Sequence, residues 1–324
     1  MPDKDTIIKK MNRLGENHVP FFFMIDFEMN HPEIYQLDEI DPKEILFDIN
    51  GVKNYPKNLT TQKEIIFEKM PVDYQVYLNS YEIVQKNIQQ GNTYLLNLTF
   101  PTRLKTNLTL QEIFYISHAK YKLWYKGQFV VFSPEIFIKI SDGIISSNPM
   151  KGTIDADISH AEEIILQDKK EMAEHFTIID LIRNDLNIVA SEVKVTKFRY
   201  IDHIKTQSKN LLQVSSEITG ILEHGYLKKL GDIIFSLLPA GSVSGAPKKK
   251  TVEIIHEAEI YKRGYYTGIF GIFDGYKLDS GVMIRFIEKE NDSLLFKSGG
   301  GITFQSDPLT EYNELIDKVY VPVD

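Results

Sequence analysis

The chain has 324 residues, 43% of them hydrophobic and 25% charged, with 19 Gly and 13 Pro, a globular composition rather than a disordered or fibrous one. It contains no Cys, which excludes disulfides, thiolate zinc sites, iron–sulfur clusters and cysteine-nucleophile catalysis together. Lys and Arg number 37 against 45 Asp and Glu, and the net charge of −8 argues against a nucleic-acid surface and confines any anion site to a local patch.

The length admits two domains or one large sheet-based domain, and no repeat, low-complexity tract or Gly/Ser linker divides it. No apolar run is long enough to cross a bilayer, and the charged start MPDKDTIIKKMNRLGENHVP lacks the apolar centre of a signal peptide. A cytoplasmic protein with no membrane contact is the expectation.

In chain order, residues 1–75 mix short strand candidates (Phe21–Phe27, Glu44–Asp48) with polar turns and end near Pro71. Apolar spacing predicts a helix over Val72–Gln90, stopped by Gly91-Asn92. Strand-like runs follow at Tyr94–Phe100, Gln128–Ser133, Ile136–Ile140 and Ile144–Ser146, the last two joined by the hairpin signal Asp142-Gly143. Glu162–Leu186 reads as one or two helices and Val193–Tyr200 as a strand, with two further strand–helix alternations after it. The last third carries strand candidates at Thr267–Asp274, Gly281–Glu288, Leu294–Gly299 and Ile302-Thr303. Many hairpin-joined strands with a few long helices mean an α+β fold on a largely antiparallel sheet, not a doubly wound one.

Four constellations have chemical potential. Lys151, followed by a glycine in Pro149-Met150-Lys151-Gly152-Thr153, is a nucleophile or base if it loses its proton, and a solvated turn lysine otherwise. Glu171 and Glu174, and again Glu311 and Glu314, stand three apart in helical windows, so each pair shares a face. Converging, the four would make a hard-oxygen site suited to Mg²⁺; apart, each pair is a solvated acidic face. Gly299-Gly300-Gly301 and the small-residue loop around Ser242 offer backbone N–H groups to an anion, and Arg285, alone in the apolar run Val282–Ile287, is a candidate carboxylate clamp. Glu135, at the strand boundary Ser133-Pro134-Glu135 among apolar neighbours, suits a general acid if buried.

Taken in order, these stretches resemble the chorismate-utilising enzymes. The matching segments are GNTYLLNLT at Gly91, FSPEIF at Phe132, NPMKGT at Asn148, EMAEHFTIIDLIRNDL at Glu171 and LLQVSSEITG at Leu211. They continue with LLPAGSVSGAPKKKTVEII at Leu237, GYYTGIFGIFDG at Gly264, VMIRFI at Val282 and GGGITFQSDPLTEYNEL at Gly299. The resemblance implies large, mostly antiparallel sheets packed face to face with helices outside. It also implies one catalytic domain over 1–324, with a short N-terminal part (1–75) and a family-matching core (76–324). Within the family, P-M-K-G-T at Lys151 resembles the aminodeoxychorismate synthases, whereas anthranilate synthases read P-I-A-G-T. Leu95 stands where hydrolytic and isomerising relatives carry a lysine base, which argues against an isochorismate or salicylate synthase.

By that resemblance, Lys151 attacks C2 of chorismate while Glu135 protonates the departing 4-hydroxyl, and ammonia then attacks C4 and expels Lys151, giving 4-amino-4-deoxychorismate, a folate precursor. Mg²⁺ would bridge a substrate carboxylate to Glu174 and Glu314, with Glu171 and Glu311 reached through water. Arg285, Gly299, Gly300, Gly301, Ser242 and Thr153 would bind the substrate. Lacking cysteine, the chain is expected to receive ammonia from a glutaminase subunit in a heterodimer, or from free ammonium. The sequence departs from the family at Gln213, where a histidine is usual, at Leu95, and at His118-Ala119-Lys120-Tyr121-Lys122, where larger relatives carry a tryptophan-binding motif. The alternatives are an anthranilate synthase large subunit and a non-catalytic chorismate-binding paralogue.

Overall fold

The computed structural model of the protein describes residues 3–56, 65–205 and 210–322. Among these residues the strands form two nine-stranded sheets in which every pairing is antiparallel. The first runs Met150–Asp155, Asn210–Leu222, Ile144–Ser147, Ile136–Ser141, Leu278–Val282, Ile269–Phe273, Phe21–Ile25, Glu33–Gln36, with Ala190–Lys205 against Asn210–Leu222. The second runs Gly245–Ala246, Leu95–Thr106, Ser293–Ile302, Phe286–Glu290, Phe129–Ser133, Tyr121–Tyr125, Ile45–Ile49, Val52–Lys53, with Phe67–Met70 on Leu95–Thr106.

The layering follows from side-chain alternation. In Phe21–Ile25 the even residues Phe22 and Met24 pack on Phe47, Leu123 and Val131 of the second sheet. The odd residues Phe21, Phe23 and Ile25 pack instead in a cluster with Ile7, Met11 and Leu14 of the helix Lys4–Glu16 and Ile233 of the helix Leu230–Ser236. Both faces being covered, the run is apolar throughout rather than alternating. The outer face of the second sheet is covered likewise: Trp124, Val130 and Phe132 meet Ile113 and Phe114 of the helix Leu110–Ile116. Leu96, Leu98 and Phe100 meet Tyr77 and Val84 of the helix Tyr74–Gln89, and Ile254 and Ile255 of Lys248–Ala258. The result is a sheet-on-sheet core with helices outside, and among the described residues no helix is long and apolar enough to cross a membrane.

Most expected elements are present with shifted ends, and the Asp142-Gly143 hairpin forms with both residues at positive φ, 52° and 76°. Glu162–Leu186 is two helices, Ala161–Gln167 and Lys169–Leu186, separated by Asp168, whose side chain caps the second. Two expectations change. The helix Lys4–Glu16 occupies a stretch read as strands and turns; Asp3 caps it by accepting from the Thr6 N–H, and Ile7, Met11 and Leu14 form its buried stripe. The run Gly281–Glu288 is not one strand: Leu278–Val282 lies in the first sheet and Phe286–Glu290 in the second.

Candidate active site

The site lies where the chain passes between the sheets. Phe129–Ser133 belongs to the second sheet and Ile136–Ser141 to the first, so Pro134-Glu135 is one crossing, and residues 283–285 are the other, run in reverse. The two crossings are bonded to each other: Phe132 N–H donates to Arg285 O at 3.1 Å, and Val282 N–H to Glu135 O at 3.1 Å. Arg285 is therefore not a strand residue but sits at φ 52° in the crossing, with its guanidinium 5.1 Å from the Tyr320 ring centre. Glu135 and Arg285 thus reach one cavity of about 760 Å³, ordinary for a small-molecule site, which also holds Lys151, Thr153, Glu171, Glu174, Ser242, Gly299, Gly300, Gly301 and Glu314. Glu311 does not line it; buried one turn away, it accepts from Ser306 Oγ at 2.8 Å.

Lys151 is carried by the strand Met150–Asp155, whose pairing with Asn210–Leu222 slips between Met150 and Thr153, with Gly152 at φ 87° in the slip. Its ammonium stands 2.6 Å from Glu174 Oε2. Burial pushes the Lys151 pKa down, but Glu174, with Glu171 and Glu314 behind it, outweighs burial and holds the group above the ordinary lysine value. Lys151 is stored as an ammonium.

Glu171 and Glu174 come from the first turns of Lys169–Leu186, and Glu314 from Pro308–Asp317, which Asp307 caps. Glu314 contributes to the electrostatics of both Lys151 and Glu171, so the two glutamate-bearing helices converge on one end of the cavity. Burial raises the Glu171 pKa, Lys151 opposes it and Glu174 adds to it, while its buried Oε2 has no hydrogen-bond partner. Among the described residues, no three acidic or histidine side chains are close enough as placed to cup an ion. Ammonium groups stand on two of the carboxylates: Lys151 on Glu174, and Lys318 on Glu314 at 2.7 Å. The partnerless Glu171 oxygen and the all-carboxylate donor set nonetheless fit a hard divalent cation once the ammonium heads swing aside.

Glu135 takes a short hydrogen bond from Ser242 Oγ. Burial raises its pKa, with Ser242, Arg285 and Lys318 offsetting part of the rise, a shift toward the protonated form that a general acid needs. The hydroxyl of Ser242, a residue expected to help hold a substrate carboxylate, donates to Glu135. The glycine triplet does not separate the two expected strands Leu294–Gly299 and Ile302-Thr303 but joins them. It belongs to the strand Ser293–Ile302 and pairs with Asn97, Leu98 and Thr99, which leaves only part of its backbone to face a ligand. Gly299 O accepts from Lys318 Nζ at 2.9 Å, and a Cβ on Gly300 would stand 3.4 Å from Glu311 Oε2 and 3.9 Å from Glu314 Oε1. Thr153 and Gln213 face each other across paired strands, 3.5 Å apart at the limit of a hydrogen bond. Leu95 is part of the cavity wall, its Cδ1 3.1 Å from a Cβ built on Gly301.

Sequence reasoning missed Lys318, which lines the cavity; its spacing of four from Glu314 and seven from Glu311 put it on the same helix face and was the available signal. It also missed Arg263, fully buried behind the cavity. That guanidinium donates to Glu259, to Asn97 O at 2.6 Å and to Val243 O at 2.8 Å, tying together two segments of the wall.

The chain is 50% identical over 320 residues to an uncharacterized PabA-like protein of Haemophilus influenzae, covering 98% of this chain and 96% of that one. It is 30% identical to aminodeoxychorismate synthase component 1 of Bacillus subtilis, over 75% of this chain and 54% of that protein. Among solved structures it superposes on anthranilate synthase component I of Streptococcus pneumoniae with a TM-score of 0.67 and 26% identity, covering 82% of this chain and 60% of that one. The family profile described as chorismate binding enzyme matches residues 21–324, and by that match the chain belongs to the chorismate-binding enzyme family.

Proposed function

We propose that the protein aminates chorismate at C4, as an aminodeoxychorismate synthase component, with ammonia supplied by a separate glutaminase subunit or by free ammonium. The observation that carries this reading is the pairing, in one cavity, of a lysine amine at Lys151 with a buried carboxyl at Glu135 whose pKa is raised. The name of the Bacillus subtilis relative supports the same choice.

In this mechanism Lys151, as the free amine, forms a bond to C2. Both ring double bonds shift, C1=C2 to C1=C6 and C5=C6 to C4=C5, and the C4–oxygen bond breaks as Glu135 gives its proton to the hydroxyl, which departs as water. Ammonia then bonds to C4 and returns its extra proton to Glu135, both double bonds move back to C5=C6 and C1=C2, and the C2–nitrogen bond breaks to release Lys151. Chorismate and ammonia become 4-amino-4-deoxychorismate and water. Arg285 and Lys318 hold the substrate carboxylates, with the outward-facing backbone of Gly299–Gly301 beside them. Glu174 and Glu314, supported by Glu171 and Glu311, would hold Mg²⁺, which when bound neutralises a substrate carboxylate. Because Lys151 is stored as an ammonium on Glu174, the attack requires that ion pair to open and the ammonium to give up one proton to solvent first. Without cysteine the chain has no thiol to hydrolyse glutamine, hence the partner.

The test is incubation with chorismate, Mg²⁺ and ammonium, followed by product identification. Aminodeoxychorismate is the expected product, glutamine replacing ammonium only when a glutaminase is added. Anthranilate with pyruvate, or unchanged chorismate, would overturn the reading.

A further inference from the structure

The mechanism leaves unused a largely buried acid, Asp185, on the same helix as Glu171 and Glu174. Asp185 lies in the last turn of Lys169–Leu186, roughly 16 Å along that helix from Glu174, and its side chain is 15% exposed. Its carboxylate accepts from the Gly241 N–H, and a Cβ on Gly241 would stand 2.7 Å from Asp185 Oδ2, so this approach requires a glycine. Lys248 Nζ stands 2.8 Å from Asp185 Oδ1 and also donates to Leu237 O at 2.9 Å. One ion pair therefore holds the segment 237–241 at both ends. Ser242 follows directly, and its hydroxyl is the donor to Glu135.

We propose that Asp185 is a positioning residue for the Glu135 acid, holding the Gly241–Ser242 peptide where the Ser242 hydroxyl meets the Glu135 carboxyl. The helix that presents Glu171 and Glu174 at one end anchors the acid's hydrogen-bond donor at the other, so acid and carboxylate site are set by one rigid element. A second cavity of about 30 Å³, lined by Glu135, Asp185, Gly241 and Ser242, gives the carboxyl room to turn away if the loop is released. The inference rests on reading Glu135 as the acid.

Its test reads Glu135 in the protein without substrate, so it stands or falls separately from the amination reaction. The neutral Glu135 carboxyl is followed through a pH titration by difference infrared spectroscopy, its band assigned by loss in Glu135→Gln. The Ser242 hydroxyl lowers the Glu135 pKa, so Ser242→Ala raises the midpoint. Asp185→Leu/Lys248→Met replaces the ion pair by apolar side chains without leaving an unpaired charge. It is expected to raise the midpoint in the same direction, with no further rise when Ser242→Ala is added. Asp185→Asn, which keeps an acceptor for Gly241, restores the wild-type midpoint. Arg285 and Lys318, the charged groups facing Glu135, are unchanged in all of these. Should the double replacement not fold, Asp185→Ser, too short to reach Gly241, takes its place. A folded variant lacking the acceptor whose Glu135 midpoint stays at the wild-type value, or shifts additive with Ser242→Ala, would overturn the proposal.

Discussion

Two adjacent glycines in one strand should respond oppositely to the same added methyl. A Cβ on Gly299 would stand 2.4 Å from Leu98 O and 2.5 Å from Thr99 Cγ2, where ordinary contact begins at 3.4 Å, so the pairing with Leu95–Thr106 has to open by about 1 Å. Overpacking of this kind costs about 1–3 kcal/mol, and at about 2–4 °C per kcal/mol the Tm of Gly299→Ala should fall by about 2–12 °C. On Gly300 the methyl would lie 3.4 Å from Glu311 Oε2, 3.6 Å from Lys318 Nζ and 3.9 Å from Glu314 Oε1, contacts that a folded chain accepts. Gly300→Ala should keep its Tm or gain from about 0.4–1 kcal/mol of lost unfolded-state entropy. It should nonetheless lose Mg²⁺-dependent chorismate binding, because the methyl fills space between the glutamates and the substrate. Circular dichroism melts and titration calorimetry on the two variants separate the effects. Equal losses of Tm, or a Gly300→Ala protein that binds as the wild type does, would refute the placement of Gly300 at the carboxylate site.

Arg263→Met should cost about 3–5 kcal/mol in urea denaturation, because it strands the buried Glu259 carboxylate and two carbonyls, and most of the loss should return in Arg263→Met/Glu259→Met. A loss under about 1 kcal/mol in the single variant would contradict this. Lys122 is buried against Phe114, and burial lowers its pKa to about 8, Asp48 opposing and Lys53 adding. Its folded pKa lies below the unfolded value of about 10.4, so the folded state sheds the proton first and stability rises between about pH 8 and pH 10.4. Relative to Lys122→Met, the wild type should gain about 3 kcal/mol over that window, at 1.36 kcal/mol per unit, and a flat difference would count against it.

What the sequence disclosed and what it withheld divide along the range of the interactions. The helical spacing of Glu171 with Glu174 and of Glu311 with Glu314 is local, and both pairs lie on helices as their spacing requires. The turn at Asp142-Gly143 is local chemistry too. The division of Gly281–Glu288 between two sheets is not, because period and propensity are the same on both sides of the crossing and only distant partners decide it. The Val282 N–H finds Glu135 O, while Phe286 pairs with Val131. For the same reason Arg285 read as a strand residue, and the pairing of the glycine triplet and the Ser242–Glu135 hydrogen bond went unread. Their partners, at Phe132, Asn97–Thr99 and Glu135, lie far off in the chain. The Lys151–Glu174 ion pair is likewise tertiary, and with it the direction of the lysine's pKa, which neither burial nor charge count alone decides.

The role of Lys151 as nucleophile is tested most directly by mass spectrometry of the intact protein incubated with chorismate and Mg²⁺ in the absence of ammonia. With nothing present to displace the lysine, the account predicts a mass increment equal to chorismate less water, mapping to the peptide containing Lys151, absent in Lys151→Ala and discharged to aminodeoxychorismate when ammonium is added. No increment on Lys151, together with wild-type formation of aminodeoxychorismate by Lys151→Ala, would contradict it and leave direct attack by ammonia as the route.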